Sequence, residues 1–126
     1  MSQVPENLRY TKTHEWMKAE GDTVMIGITD FAQKQLTDIV YIDLPKAGTS
    51  KKEGEVLLTV ESVKSAEDVF TPVSGEVAEV NNSLSDNPEL INRDSYSNWL
   101  VKIRTTENVQ SKGLSADEYR KFIGES

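Results

Sequence analysis

The apolar positions of this chain fall mostly into short runs rich in β-branched residues, separated by glycine, proline and acidic turn residues, the pattern of a mainly β fold. Residues 15–19 and 23–28 read as two strands joined at Glu20-Gly21-Asp22, where Gly21 supplies the positive φ of a tight turn. Thr29 or Asp30 can then cap a short helix carrying Phe31, Ala32, Gln35 and Leu36, followed by a strand over Ile39-Val40-Tyr41-Ile42. Leu44-Pro45 closes that strand, and the polar stretch 46–54 reads as a loop. Further strands are predicted over 55–60, 69–70 and 76–80, with Pro72 and Gly75 marking the last connection. Residues 81–88 are turn-rich, Glu89-Leu90-Ile91 reads as a helical turn, and 99–103 as an alternating strand. In the tail the period changes. Ser115 and Glu118 have the spacing of a capping box, and Leu114, Tyr119, Phe122 and Ile123 form one apolar stripe, which predicts a short helix docked on the sheet. Trp16, Phe31, Tyr41 and Trp99 fall within these apolar patterns and are expected in the core.

With 126 residues the chain fits one domain, since domains usually run to roughly 100–150 residues. It contains no cysteine, which removes disulfides, thiolate metal sites and a cysteine nucleophile, and its single histidine, His14, makes a histidine-rich metal site untenable. A net charge of −7 spread along the sequence repels phosphate backbones, so nucleic acid is not an expected partner. No apolar run approaches the roughly 20 residues of a membrane span, and the start has neither a basic nor an apolar leader region. The expectation is a soluble, cytoplasmic, monomeric protein with no membrane partner.

The central segment holds an internal echo: Gly54-Glu55-Val56 recurs as Gly75-Glu76-Val77, with Lys64 midway between the two copies. Two similar half-motifs flanking one lysine suggest a pseudo-twofold arrangement with the lysine at the turn between the halves. A lysine at a turn tip is usually only solubilising. Here, however, its neighbours Ser62, Val63, Ser65 and Ala66 are small or short, which gives a modifying enzyme access to an exposed ε-amine on a defined turn. For acid–base chemistry the suggestive neighbours are His14-Glu15 and Glu67-Asp68. Adjacent strand residues point to opposite faces, so His14 and Glu15 cannot both face one substrate without a bulge. Asp30, Asp38 and Asp43 lack calcium-loop spacing, and no phosphate-loop, dinucleotide or nucleophile-elbow motif occurs. A carrier or interaction module is therefore favoured over an enzyme.

Several runs carry a resemblance across nearly the whole chain. They are Leu8-Arg9-Tyr10-Thr11-Lys12-Thr13-His14-Glu15-Trp16, Gly27-Ile28-Thr29-Asp30-Phe31-Ala32-Gln33, Asp38-Ile39-Val40-Tyr41-Ile42-Asp43-Leu44-Pro45, Glu61-Ser62-Val63-Lys64-Ser65, Pro72-Val73-Ser74-Gly75-Glu76-Val77 and Trp99-Leu100-Val101-Lys102-Ile103. In that order and spacing the chain resembles the H proteins of the glycine cleavage system. The resemblance implies a single lipoyl-carrier domain over residues 1–126, mainly β. Its fold would be a barrel-sandwich hybrid of the lipoyl/biotinyl-carrier type: two antiparallel sheets with pseudo-twofold symmetry, plus short helices including a C-terminal one. Lipoate would be amide-linked to Lys64, whose Val63 and Ser65 flanks differ from the methionines usual around biotinyl lysines.

The resemblance further implies a non-catalytic carrier. It would take the aminomethyl group of glycine from a pyridoxal-phosphate glycine decarboxylase to a tetrahydrofolate-dependent aminomethyltransferase, and electrons to dihydrolipoamide dehydrogenase. Lipoate ligase, or an octanoyltransferase with lipoyl synthase, would install the group. The alternative role is a lipoate or octanoate relay that donates to other lipoyl proteins. Glu61, Ser62, Val63, Ser65 and Glu67 are expected to form a recognition rim. Thr13, His14, Glu15 and Asp68 are candidates for docking a loaded arm, with a merely solvated strand carboxylate as the competing reading of Glu15. The chain departs from the family pattern at three places, all in expected turns: Thr37 stands where glycine is usual, Ser95 where proline often precedes the tyrosine, and Ser97-Asn98 where glycine commonly precedes the tryptophan.

Overall fold

The computed structural model describes residues 2–125. In chain order the elements are β1 (Arg9–Tyr10), β2 (Glu15–Glu20), β3 (Thr23–Ile28), α1 (Asp30–Leu36), β4 (Ile39–Asp43), β5 (Ser50–Lys51) and β6 (Val56–Ser62). Then come β7 (Ala66–Phe70), β8 (Gly75–Val80), α2 (Ser83–Asp86), α3 (Leu90–Arg93), β9 (Val101–Arg104), a 3-10 turn at Val109–Ser111 and α4 (Ala116–Phe122). Six strands form one antiparallel sheet in the order β1-β2-β3-β9-β8-β5, and β4-β6-β7 form a second. Among the described residues no strand belongs to both sheets, so the architecture is an open sandwich and not a closed barrel. No helix among them is long and apolar enough to cross a membrane.

The main core lies between the sheets, where Met17, Ile26, Val101 and Ile103 of the larger one pack with Ile42, Val60 and Val69 of the smaller. Burial of each such side chain contributes about 1.5–3 kcal/mol. A second cluster covers the outer face of the larger sheet, where Tyr10, Trp16 and Tyr119 gather with Val4, Leu8 and Ala116. Trp16 lies flat against β3 because Gly27 opposite has no side chain; a Cβ there would meet the indole at 2.5 Å. Its Nε1–H donates to the Ser95 carbonyl at 3.1 Å, while the buried Ser95 hydroxyl, in the turn where the family often has proline, has no partner among the described residues.

Each Gly-Glu-Val copy stands at the start of a strand, β6 in one sheet and β8 in the other, but the two glycines are needed for different reasons. Gly54 holds φ +89, a conformation that side chains rarely adopt, whereas a Cβ on Gly75 would strike the Arg104 carbonyl at 2.1 Å. The C-terminal helix forms as expected, with both halves of the Ser115–Glu118 capping box made and Tyr119 buried; Phe122, expected in the apolar stripe, is largely exposed.

Tyr41 departs most clearly from expectation: it is 50% exposed. The register of β4 on β6 runs Ile39 to Ser62 and then Tyr41 to Glu61, so Val40 is an extra, bulged residue. Without that insertion Tyr41 would share the inward face of Ile39; with it, Ile39 and Ile42 both turn inward and the two residues between them face solvent.

Candidate functional site

The β6–β7 hairpin turns at Val63-Lys64-Ser65, and Ser62 stiffens the turn. Its hydroxyl accepts hydrogen bonds from the backbone N–H of Lys64 at 3.2 Å and of Ser65 at 3.0 Å, while its own N–H donates to the Ser65 carbonyl at 2.7 Å. Small residues permit this because a serine hydroxyl reaches the backbone two and three residues on without a long side chain to order. Lys64 is exposed, and its Nζ donates to the Gln35 carbonyl at 3.3 Å. That bond, with Val63 N–H donating to the Asp38 carbonyl at 3.0 Å, ties the lysine tip to the end of α1.

Between tip and helix lies a cleft of about 360 Å³. Its apolar wall is made by Ile28, Ala32, Leu36, Val60 and Val69, with Phe31 and Gln35 from α1. Its polar parts are Thr13, His14 and Glu15 from the start of β2 and Lys64, Ser65, Glu67 and Asp68 from the lysine tip and β7. The expected docking residues are thus brought together with the lysine, and so are Ser65 and Glu67 of the expected rim. Glu61, Ser62 and Val63 are not on the cleft wall.

His14 and Glu15 line the same cleft without any bulge. His14 precedes β2 and has φ +72, a left-handed conformation that breaks the alternation expected of strand neighbours. Glu15 is only 1% exposed, which overturns its reading as a solvated carboxylate. Its Oε1 accepts from the hydroxyls of Thr11 at 2.5 Å and Thr13 at 2.6 Å, and Oε2 accepts from the Phe70 N–H at 3.2 Å, bridging the two sheets. Burial raises its carboxyl above the usual range, partly offset by these donors. The His14 imidazole is lowered by burial; it packs on Phe31 at 4.9 Å between ring centres and meets the Tyr119 hydroxyl at 2.8 Å.

Helix α1 holds the other wall. Thr29 caps it through Ala32 N–H at 3.2 Å, Asp30 pairs with Lys34 one turn on at 3.4 Å, and the helix stops at Thr37, whose φ is +63. Asn92 of α3 fastens that stop: its Nδ2 donates to the Thr37 carbonyl at 2.8 Å and its Oδ1 accepts from Ile39 N–H at 2.9 Å. Sequence reasoning did not single out Thr29, Gln35, Asn92 or Tyr119 as site residues, and only the capping pattern at Thr29 carried a local signal.

The described residues contain no cluster of three or more metal-ligating side chains. A small two-sheet domain that presents one stiffened lysine hairpin beside a cleft has the architecture of a non-catalytic prosthetic-group carrier. The chain belongs to the glycine cleavage H-protein family, whose model matches residues 8–126; its members are lipoyl carriers of glycine catabolism. It is 60% identical to a probable glycine cleavage system H protein of Picrophilus torridus over 99% of this chain and 100% of that one. It is 58% identical to that of Thermoplasma acidophilum, over 98% of each chain. The crystal structure of a glycine cleavage system H protein from Mycobacterium marinum matches with a TM-score of 0.87 at 37% identity, covering 96% of this chain and 99% of that one.

Proposed function

We propose that residues 1–126 act as one carrier unit bearing lipoate in amide linkage on Lys64 Nζ. In this reading the chain serves a pyridoxal-phosphate glycine decarboxylase, a tetrahydrofolate-dependent aminomethyltransferase and dihydrolipoamide dehydrogenase in turn. The observation that carries it is the position of Lys64: exposed, on a turn stiffened by Ser62, at the rim of a cleft that contains the buried Glu15 carboxylate. The cleft fits the group, since an apolar wall suits an aliphatic chain and a polar end suits a charged terminus. When bound, lipoate supplies a dithiolane that takes up the one-carbon unit and the electrons.

The chain's own residues supply placement and shelter. Ser62 holds the tip, and the Gln35 carbonyl releases Nζ when the amide forms. Glu15 Oε2, with one donor, keeps acceptor capacity for a cationic amine entering the cleft, and Thr13 and His14 close its flank. Glu67 and Asp68 on β7, close to the tip, give approaching enzymes a negative field. Peptide mapping after incubation with lipoate, ATP and a lipoate ligase tests the assignment: the lipoyl amide is expected on Lys64, and its appearance on Lys51, Lys52 or any other lysine overturns it. Lys64→Arg should lose modification and aminomethyl transfer while melting within about a degree of wild type, because an exposed tip lysine contributes little to stability.

A further inference from the structure

The bulge in β4 leaves two consecutive apolar side chains, Val40 and Tyr41, 54% and 50% exposed on the edge strand of the smaller sheet. They are not isolated. Tyr41 stands opposite Glu61, which stands opposite Ala66, so one row across the outer face runs from Tyr41 to a residue two positions from Lys64. Val63, 69% exposed, adjoins the same edge through its N–H bond to the Asp38 carbonyl. Val40, Tyr41, Val63 and Ala66 therefore make an apolar surface that reaches the lysine tip on the side away from the cleft. Bulges re-aim side chains next to functional sites and disrupt edge pairing, so this edge is suited to recognition by side chains and not to strand addition. Nothing in the core needs Tyr41 outside. An unbulged β4 would have buried it.

We propose that this surface is the docking face for the enzyme that acylates Lys64, a proposal resting on the lipoyl reading above. Two arguments favour that occupant. An acylating enzyme must bring its catalytic groups within bonding distance of Nζ itself, so its surface has to lie on the residues beside the tip, whereas enzymes acting at the far end of the arm work many bonds away. Glu61 stands within the surface, between Tyr41 and Ala66, and Asp43 and Asp68 stand in the next row, so it fits an apolar patch accompanied by basic side chains. With lipoate and ATP as co-substrates, the lipoate carboxylate attacks the α-phosphorus of ATP in the ligase, the bond to the β-phosphate breaks with release of pyrophosphate, and the lipoyl–adenylate anhydride forms. The neutral Nζ amine then attacks its carbonyl carbon, the amide C–N bond forms, the C–O bond to AMP breaks, and the proton shed by nitrogen goes to water.

The test compares wild type with Val40→Ser, Tyr41→Ser and Val63→Ser, using a lipoate ligase and the full chain, with Val56→Ser, exposed at the far end of β6, as control. Each tip-side variant is expected to lower kcat/KM for acylation about tenfold, mostly through KM, with circular dichroism and melting unchanged; Val56→Ser should match wild type. In a Lys64→Arg background, the unsubstituted face should compete with wild-type acceptor, and the Tyr41→Ser face should not. Once lipoylated, the variants should be reoxidised by dihydrolipoamide dehydrogenase at the wild-type rate. Unchanged acylation overturns the proposal, as does an equal loss in both reactions, or a concentration-dependent dimer abolished by Tyr41→Ser, which would make the occupant a second copy. Failure of wild type to be lipoylated at Lys64 would instead remove the underlying reading, and this proposal with it.

Discussion

The phenol oxygen of Tyr119 on α4 lies 2.8 Å from Nδ1 of His14, although 105 residues separate them, and 2.7 Å from the hydroxyl of Thr29. Thr29 Oγ1 already accepts from Ala32 N–H and is fully buried, so its own hydrogen has Tyr119 as partner; Tyr119 then donates to Nδ1. This chain of donors predicts a neutral His14 with its proton on Nε2.

Nitrogen-15 NMR of His14 checks this. The Nε2–H tautomer is expected, with a titration midpoint below the usual 6.5 because burial disfavours the imidazolium. A depressed histidine makes the fold more stable as pH rises: its contribution is complete above about 6.5 and is lost as pH falls toward the native value. Tyr119→Phe removes the donor to the neutral ring, so the midpoint should rise and the Nδ1–H tautomer should appear. An unchanged tautomer in that variant would refute the relay.

Thr37 adopts φ +63 and ψ −142, a region that is costly for a β-branched residue, at the junction that fastens α1 beside the lysine tip. Strain there costs on the order of 1–3 kcal/mol, against which glycine loses about 0.5–1 kcal/mol of chain entropy. Thr37→Gly is expected to raise the melting temperature by roughly 4 °C, for a net gain of about 1 kcal/mol. A lower melting temperature would show that the Thr37 hydroxyl, bonded to the Leu36 carbonyl at 2.5 Å, matters more than the backbone.

How much of this the sequence revealed follows the range of the interaction. The β2–β3 hairpin, the Thr29 cap and the Ser115–Glu118 box are made by residues a few positions apart, and their signals are local. Lys64 at a hairpin tip followed from the echo, although β6 and β7 extend closer to the lysine than the apolar runs suggest. Strands β1 and β5, two residues each, left no periodicity to detect, and the strand read at 99–103 lies at Val101–Arg104. Tyr41 was misplaced because a bulge is a property of pairing, not of the strand's own pattern. The polar half of the cleft was legible in its residue types. Its apolar wall was not, since Ala32, Leu36 and Val60 look the same in a cleft as in a core.

Glu67 and Asp68 stand on β7 close to the Lys64 tip, both exposed. Exposed charges act over about 8–10 Å at ordinary ionic strength, so their part is to speed encounter with basic faces. Replacing them together by Gln and Asn should slow association with the ligase and the decarboxylase on the order of threefold at low salt, with the difference vanishing at high salt. Stopped-flow association rates across a salt series measure it, and rates indifferent to both mutation and salt would dismiss the steering role.

Glu15 combines a stability cost with a docking role, and one substitution separates them. Its carboxyl is raised by burial, so the native state holds the proton more tightly than the unfolded chain does. Stability should therefore fall as pH rises from the ordinary carboxylate range through the native value, with a slope of at most about 1.4 kcal/mol per pH unit. Glu15→Gln can keep the local bonds by turning its amide, with oxygen toward Phe70 N–H and nitrogen toward the Thr11 and Thr13 hydroxyls, and it should lose that slope in urea unfolding across pH. The same variant loses the anion that would hold a cationic amine in the cleft. A hydrogen bond between charged groups contributes about 1.5–3 kcal/mol, so release of formaldehyde from the aminomethyl-loaded carrier should accelerate about tenfold or more. If the pH slope disappears while the release rate stays equal to wild type, Glu15 is a buried bridge between the sheets and not the docking carboxylate, leaving Glu67 and Asp68 as the cleft acids to test.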